Sequence, residues 1–396
     1  MSVTPPSLHT LCEGKSEDRD FLGIIEYPLF TDVCHKKSQI SNEGLPFKVS
    51  TTDEKNEDNL VLHRLTLCLE AYQKKVEPTN PSLGRTLPTE EISFDFFIED
   101  NTADQIAVLL SLVLGIRVKS GMLLRGFDKN GEEKLPLDPM LYNNPPPVKL
   151  IKNDIMVVLP TAIRDVYGDN RGFSLDKAEP YLSCFYKLTV SQAEALIRAA
   201  KLYRDALWLV ESTPELSWIM LVSAIEVVAK DEIKNTVTPE EELERIEPKL
   251  AKDIKLCGDS TLLSRIAKRF TSEESISKKY REFLIKFLPE SPPKRLPGRQ
   301  INWDDLKLTT NKNPLSIIYN YRSKALHAGN SFPPTMSWIF RSAEGIPYDL
   351  AETPTEYNMF LDGKIVKRKP EVMMLSIFEY IVRNALLKWW KSCIKK

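Results

Sequence analysis

Paired cysteines are missing from this chain. Cys12, Cys34, Cys68, Cys184, Cys257 and Cys393 are scattered singly. There is no C-x-x-C and hence no zinc ligand pair of that kind. Single cysteines fit a reducing cytoplasm, and Met1–Pro6 shows neither a basic nor an apolar leader region, so a cytoplasmic location is expected. Long apolar runs are missing too. The best, Ile106–Ile116, is eleven residues, against the ~20 that a membrane span needs. It reads as a buried helix or strand, and no membrane partner is expected. Also absent are G-x-x-x-x-G-K-[ST], G-x-G-x-x-G after a strand, H-E-x-x-H and G-x-S-x-G. Those absences remove the phosphate-loop, dinucleotide-binding, zinc-protease and serine-hydrolase classes that carry them. No internal repeat or low-complexity tract is visible.

What is present is a chain of 396 residues with 42% hydrophobic and 28% charged content, long enough for two or three domains. Charge is unevenly shared. Residues 1–180 carry 20 Lys+Arg against 28 Asp+Glu, or -8, and residues 181–396 carry 34 against 27, or +7; together they return the net -1. A polyanion would bind the basic half. The excess equally fits a solvated surface or a face turned toward the acidic half.

The first 180 residues read as a mixed α+β domain of unassigned role. Phe21–Ile25, Glu91–Glu99 and Val148–Leu159 are strand candidates, and Ala103–Leu114 is a helix. Asn59–Lys74 suits a strand or a helix. Asp53–Asp58 is a charged loop, and Asn143–Pro147 a turn or extended linker. From Thr189 the apolar spacing becomes helical. Thr189 reads as an N-cap, and Pro214 opens a helix over 214–230 that is apolar nearly all round and should sit centrally. Pro239–Leu250, Thr261–Phe270 and Ile276–Leu288 read as further helices. Asn313–Leu326 is helical and stops near Gly329, which fits a C-cap. Pro370 precedes a last helix over 371–392. Residues 190–394 are expected to form a helical bundle without a sheet, interrupted by a proline-containing insertion at 330–370.

Of four histidines, His9, His35, His63 and His327, only His327 has an arginine placed to share a site. Ser323 and His327 lie four apart and share a helix face. Arg322 lies five before His327, about 140° round the axis, so it reaches the imidazole only if its side chain wraps or the helix ends there. Such a group suits RNA cleavage. A ribose 2′-OH attacks the adjacent phosphate, histidine moves protons near neutral pH, and arginine grips phosphate with a planar fork. No metal or other cofactor is needed.

Ile318–Gly329 resembles the signature helix of HEPN domains, most closely the ApeA-like subgroup. There a tyrosine, an Arg-Ser pair, a short spacer, a histidine and a glycine follow in this order. The resemblance extends to Trp218–Ala229, with Ala224-Ile225-Glu226, and to Pro370–Trp390, with Phe378-Glu379-Tyr380, Arg383 and Trp389-Trp390. It covers roughly 185–394. Ala328 stands between His327 and Gly329, where the nearest relatives have glycine beside histidine, and 330–370 is an added segment. The resemblance implies an α+β domain followed by an all-α up-and-down HEPN-like bundle. It implies a metal-independent endoribonuclease, with RNA as substrate, acting in antiviral defence or as a toxin. Arg322 and His327 would be catalytic and Ser323 an assistant, with Lys324 and Asn330 contacting substrate. It also implies a homodimer, or an assembly containing one, that brings two Arg/His pairs into one cleft. The alternative is a non-catalytic module that binds a protein or a nucleotide.

Several residues keep two readings. Glu226 either orients Arg322 or His327, or forms a structural ion pair with Arg204 or Arg322. Trp389 and Trp390 stack bases or fill the core. Lys294-Arg295 and Lys367-Arg368-Lys369 contact phosphate or are solvated loops. The acidic first domain is expected to cover the basic bundle until a viral or cellular trigger arrives.

Overall fold

Alternation at period two dictates the first sheet. In β1 (Arg19–Thr31), Ile25, Tyr27 and Leu29 are buried. In β4 (His63–Lys74) their antiparallel partners Leu69, Leu67 and Leu65 are buried likewise. The same face continues through Phe47 and Val49 of β3 (Phe47–Thr51). Glu26, Thr66 and Cys68 alternate with them and are half-buried. This is the pattern of an antiparallel sheet with one covered face. In this computed structural model the sheet runs β2-β3-β4-β1-β6-β7, with β5 also on β1. Here β2 is Gln39–Ser41, β5 Lys119–Ser120, β6 Arg125–Asp128 and β7 Glu133–Leu135. The structure describes residues 19–31, 37–41, 45–51, 63–74, 101–121, 124–135, 174–210, 212–234, 238–256, 260–292, 300–310, 313–329, 332–333, 336, 359–361, 364–366 and 373–394.

The chain divides into two compact units, Met1–Ser212 with Trp390–Lys396, and Thr213–Trp389. In the first, α1 (Asn101–Leu114) is buried along nearly its whole length. It packs on α3 (Val190–Leu209), after a short α2 (Glu179–Leu182). Thr189 caps α3 in a reciprocal box with Gln192. Arg204 of α3 is only 4% exposed and is neutralised by Asp104 of α1 and by its neighbour Asp205. Arg117 donates from Nε to the Leu207 carbonyl at 2.9 Å. The division therefore falls at 212/213. By that division α3 belongs to the first unit, together with α1. Periodicity identifies a helix but not its packing partner, and here the partner is α1.

The second unit is mainly helical. It holds α4 (Pro214–Glu232), α5 (Pro239–Ile246), α6 (Pro248–Leu256), α7 (Ser260–Lys286), α8 (Pro314–Ala328) and α9 (Leu375–Ile394), the last running on past Trp389. Trp218 of α4 is fully buried between Phe378 of α9 at 5.0 Å and Phe332 at 5.4 Å, both rings stacked. Tyr280, Phe283, Leu315, Ile318, Ile377 and Ile381 of the same unit are also fully buried. A satellite core of Leu243, Ala251, Ile254 and Ala267 joins α5 and α6 to the first turns of α7.

Two expectations are corrected. Thr261–Phe270 and Ile276–Leu288 are one continuous helix, α7; the polar stretch Thr271–Ser275 does not end it. The expected absence of a sheet over 190–394 also fails, because β8 (Met359–Leu361) and β9 (Lys364–Val366) pair as an antiparallel hairpin inside the 330–370 insertion. Asn59–Lys74 resolves to a strand from His63. Asp53–Asp58, Glu91–Glu99, Asn143–Pro147 and Val148–Leu159 lie outside the described residues, as does most of 330–370. Among the described residues no helix is long and apolar enough to cross a membrane.

Candidate functional site

The site is built on α8, whose two ends are fixed by its own sequence. At the start, Asn313 is fully buried. Its Oδ1 accepts from Leu315 N–H at 2.8 Å, and its Nδ2 donates to the Leu306 and Leu308 carbonyls at 2.8 and 2.6 Å. Pro314 follows in the first turn, where its missing N–H costs nothing. At the far end Gly329 adopts the left-handed conformation, φ 63° and ψ 18°, and its N–H closes on the Lys324 carbonyl. The last helical residue is thus Ala328, one after His327, and Gly329 caps it as the sequence reading expects.

Leu315, Ile318, Tyr319 and Tyr321 form the buried side of α8. Arg322 lies between that side and solvent. Its Nη2 donates to Glu226 Oε2 of α4 at 2.7 Å, and the two side chains are 19% and 14% exposed. The guanidinium carbon lies 5.9 Å from the centre of the Tyr319 ring. Glu226 is therefore paired with Arg322, a contact common to both readings of it, while Arg204 is paired with Asp104 and Asp205. Burial pushes the Glu226 carboxyl above its ordinary range. Attraction to Arg322 and hydrogen bonds from Tyr319 and Ser223 pull the other way without cancelling it.

Glu226 takes only one edge of the Arg322 fork. Nε is buried and has no hydrogen-bond partner among the described residues. Close by, Tyr280 of α7 is fully buried against Tyr319, ring centres 5.2 Å apart, and its hydroxyl also lacks a partner among the described residues. Burial, then the charge of Glu226, hold that hydroxyl well above the usual tyrosine range. Neither Tyr280 nor Tyr319 received a role from the sequence. Tyr319 had a signal, since it precedes Arg322 by three on one helix; so did Ser223, three before Glu226. Tyr280 had none, because its place depends on α7 crossing α4 and α8.

His327 is exposed, with exposed Leu326 and Ala328 beside it and Lys324 exposed one turn earlier; Ser323 is half-buried. Arg322 and His327 sit at the same helix end on different sides of it, one anchored by Glu226 and the other in solvent. Asn330, Lys294-Arg295 and Lys367-Arg368-Lys369 lie outside the described residues. Trp389 and Trp390 are core residues, 2% and 0% exposed. Trp389 donates from Nε1 to Glu232 at 3.2 Å, and Trp390 packs on Tyr181 and Phe185. As placed, neither can stack a base. Comparison with protein families, with curated proteins and with solved structures finds no match to this chain.

Proposed function

We propose that the chain is a metal-independent endoribonuclease of the HEPN type, using Arg322 and His327 on RNA. One observation carries this reading. An exposed histidine stands at a capped helix end, and five residues before it the same helix holds an arginine whose guanidinium is fixed but half-satisfied. The ribose 2′-OH attacks phosphorus as a His327 imidazole takes its proton. The P–O5′ bond breaks, and an imidazolium returns a proton to the leaving oxygen. Arg322 offsets the charge that builds on the phosphate oxygens. The products are a 2′,3′-cyclic phosphate and a 5′-hydroxyl. One histidine per chain cannot be base and acid in the same step, so a second copy supplies the other imidazole across a two-fold axis. A role in defence or as a toxin accompanies this reading.

Purified protein is incubated with RNA and with matching DNA in EDTA. Cleavage of RNA alone, ending in a cyclic phosphate and lost 100- to 10,000-fold in His327→Ala, is the expected result. A metal requirement, or equal cutting without His327, overturns it. A second reading, a non-catalytic module that binds a protein or a nucleotide, is favoured by the engagement of Arg322 with Glu226. It predicts binding without cleavage by the wild-type chain.

A further inference from the structure

A buried carboxylate that loses its cation is costly, and the proposed reaction asks Glu226 to lose Arg322 to a phosphate. Glu226 accepts one Nη2 hydrogen bond from Arg322 at 2.7 Å, while Arg322 Nε is turned to no acceptor among the described residues. A phosphate can take both edges of the fork, which a carboxylate holding one edge does not match. Tyr319 and Ser223 already donate to Glu226, and the exchange favours the phosphate further if Glu226 gains another donor. The cluster contains one to spare. The Tyr280 hydroxyl is fully buried, has no partner among the described residues, and belongs to a ring packed against Tyr319, whose own hydroxyl donates to Glu226. An orphaned buried donor costs stability in the resting state, and such a group calls for a reason.

The geometry points to Tyr280 as the stand-by partner of Glu226: its hydroxyl replaces Arg322 on the carboxylate when Arg322 turns out to a phosphate. Tyr280 is a positioning residue in this scheme and touches no substrate. The inference rests on the ribonuclease reading for the identity of the phosphate, which is that of an RNA backbone.

The test uses the full chain and a 2′-O-methyl RNA oligonucleotide, which keeps the phosphates and cannot be cleaved by 2′ attack. Tyr280→Phe preserves the ring and deletes only the unpartnered hydroxyl, so the melting temperature should stay level or rise. Binding should weaken by about 10- to 100-fold, the worth of one hydrogen bond to a charged group. In a Glu226→Gln background, where no carboxylate needs a new donor, the same change should weaken nothing further. Unchanged binding in Tyr280→Phe overturns the inference. So does an equal loss in the Gln background, a marked fall in melting temperature, or a wild-type chain whose binding does not depend on Arg322. If the wild type binds through Arg322 and shows the Tyr280 effect but never cuts unmodified RNA, the exchange stands and the ribonuclease reading falls. If it cuts RNA and Tyr280→Phe changes nothing, the reverse holds.

Discussion

Arg322→Ala should separate from His327→Ala in stability as well as in activity. Removing one partner of a fully buried ion pair costs about 3–5 kcal/mol, because the other charge stays behind uncompensated. Glu226 is 14% exposed and keeps its hydrogen bonds from Tyr319 and Ser223, so the cost here falls to about 1–3 kcal/mol. At roughly 2–4 °C per kcal/mol for a domain of this size, a loss of about 2 kcal/mol lowers the melting temperature by roughly 4–8 °C. His327 is exposed, and its truncation should stay within about 0.5 kcal/mol. The ion pair to Glu226 is what separates the two changes. Replacing both partners, Glu226→Leu with Arg322→Met, should recover most of the loss, since no buried charge remains. The deficit should depend on pH. Burial already raises the Glu226 carboxyl above its ordinary value, and removing Arg322 raises it further. Between the unfolded and folded values the native state holds more protons, so stability falls as pH rises through that window. The Arg322→Ala deficit is therefore full at neutral pH and shrinks as pH falls toward the ordinary carboxylate range. Urea denaturation of parent and variant across that range measures it. A deficit that grows on acidification, or equal stability of Arg322→Ala and His327→Ala, refutes the argument.

Gly329→Ala should cost about 1–2 kcal/mol: a Cβ there meets no atom within 4 Å, so the penalty comes from the backbone at φ +63° alone. Gly329→Asn should cost less, and urea midpoints compare the two. Asn313→Ala removes a helix cap and two donors to the Leu306 and Leu308 carbonyls, and should lower stability by about 2–3 kcal/mol on the same assay. Deleting residues 1–180 strips Asp104 from buried Arg204 and α1 from α3. The fragment should be less soluble and melt lower than the full chain; a soluble fragment with the parent melting temperature would contradict that packing.

Local signals carried much of the helical half. Pro314 and Gly329 bracket α8 in the sequence as they do in space, and Thr189 and Pro214 mark the starts of α3 and α4. Where the reading slipped, the deciding contact was distant. Leu65, Leu67 and Leu69 became a strand because β1 and β3 pair on either side, which no short window shows. Thr271–Ser275 looked like a break because Ser and Thr favour caps and turns, yet α7 runs on while packed against α4, α5 and α8. In the site, Arg322, His327 and Glu226 were visible as residue types at suggestive places. The sequence offered Glu226 several partners, of which Arg322 holds it, and Tyr280 was invisible because the helix crossing alone brings it there.

The central strand has a consequence for synthesis. β1 hydrogen-bonds to β4 on one side and to β5 and β6 on the other. Its second neighbour, β6, follows the end of β4 by roughly fifty residues, which a ribosome adds in about 3–10 s at ~5–20 residues per second. Through that interval β1 can pair with β4 while its other edge stands open, bearing the backbone groups that later meet Gly126 and Phe127. Such an edge is a template for any passing strand. Production of this chain is most exposed to aggregation in those seconds, and slowing translation between β4 and β6 should lower the soluble yield.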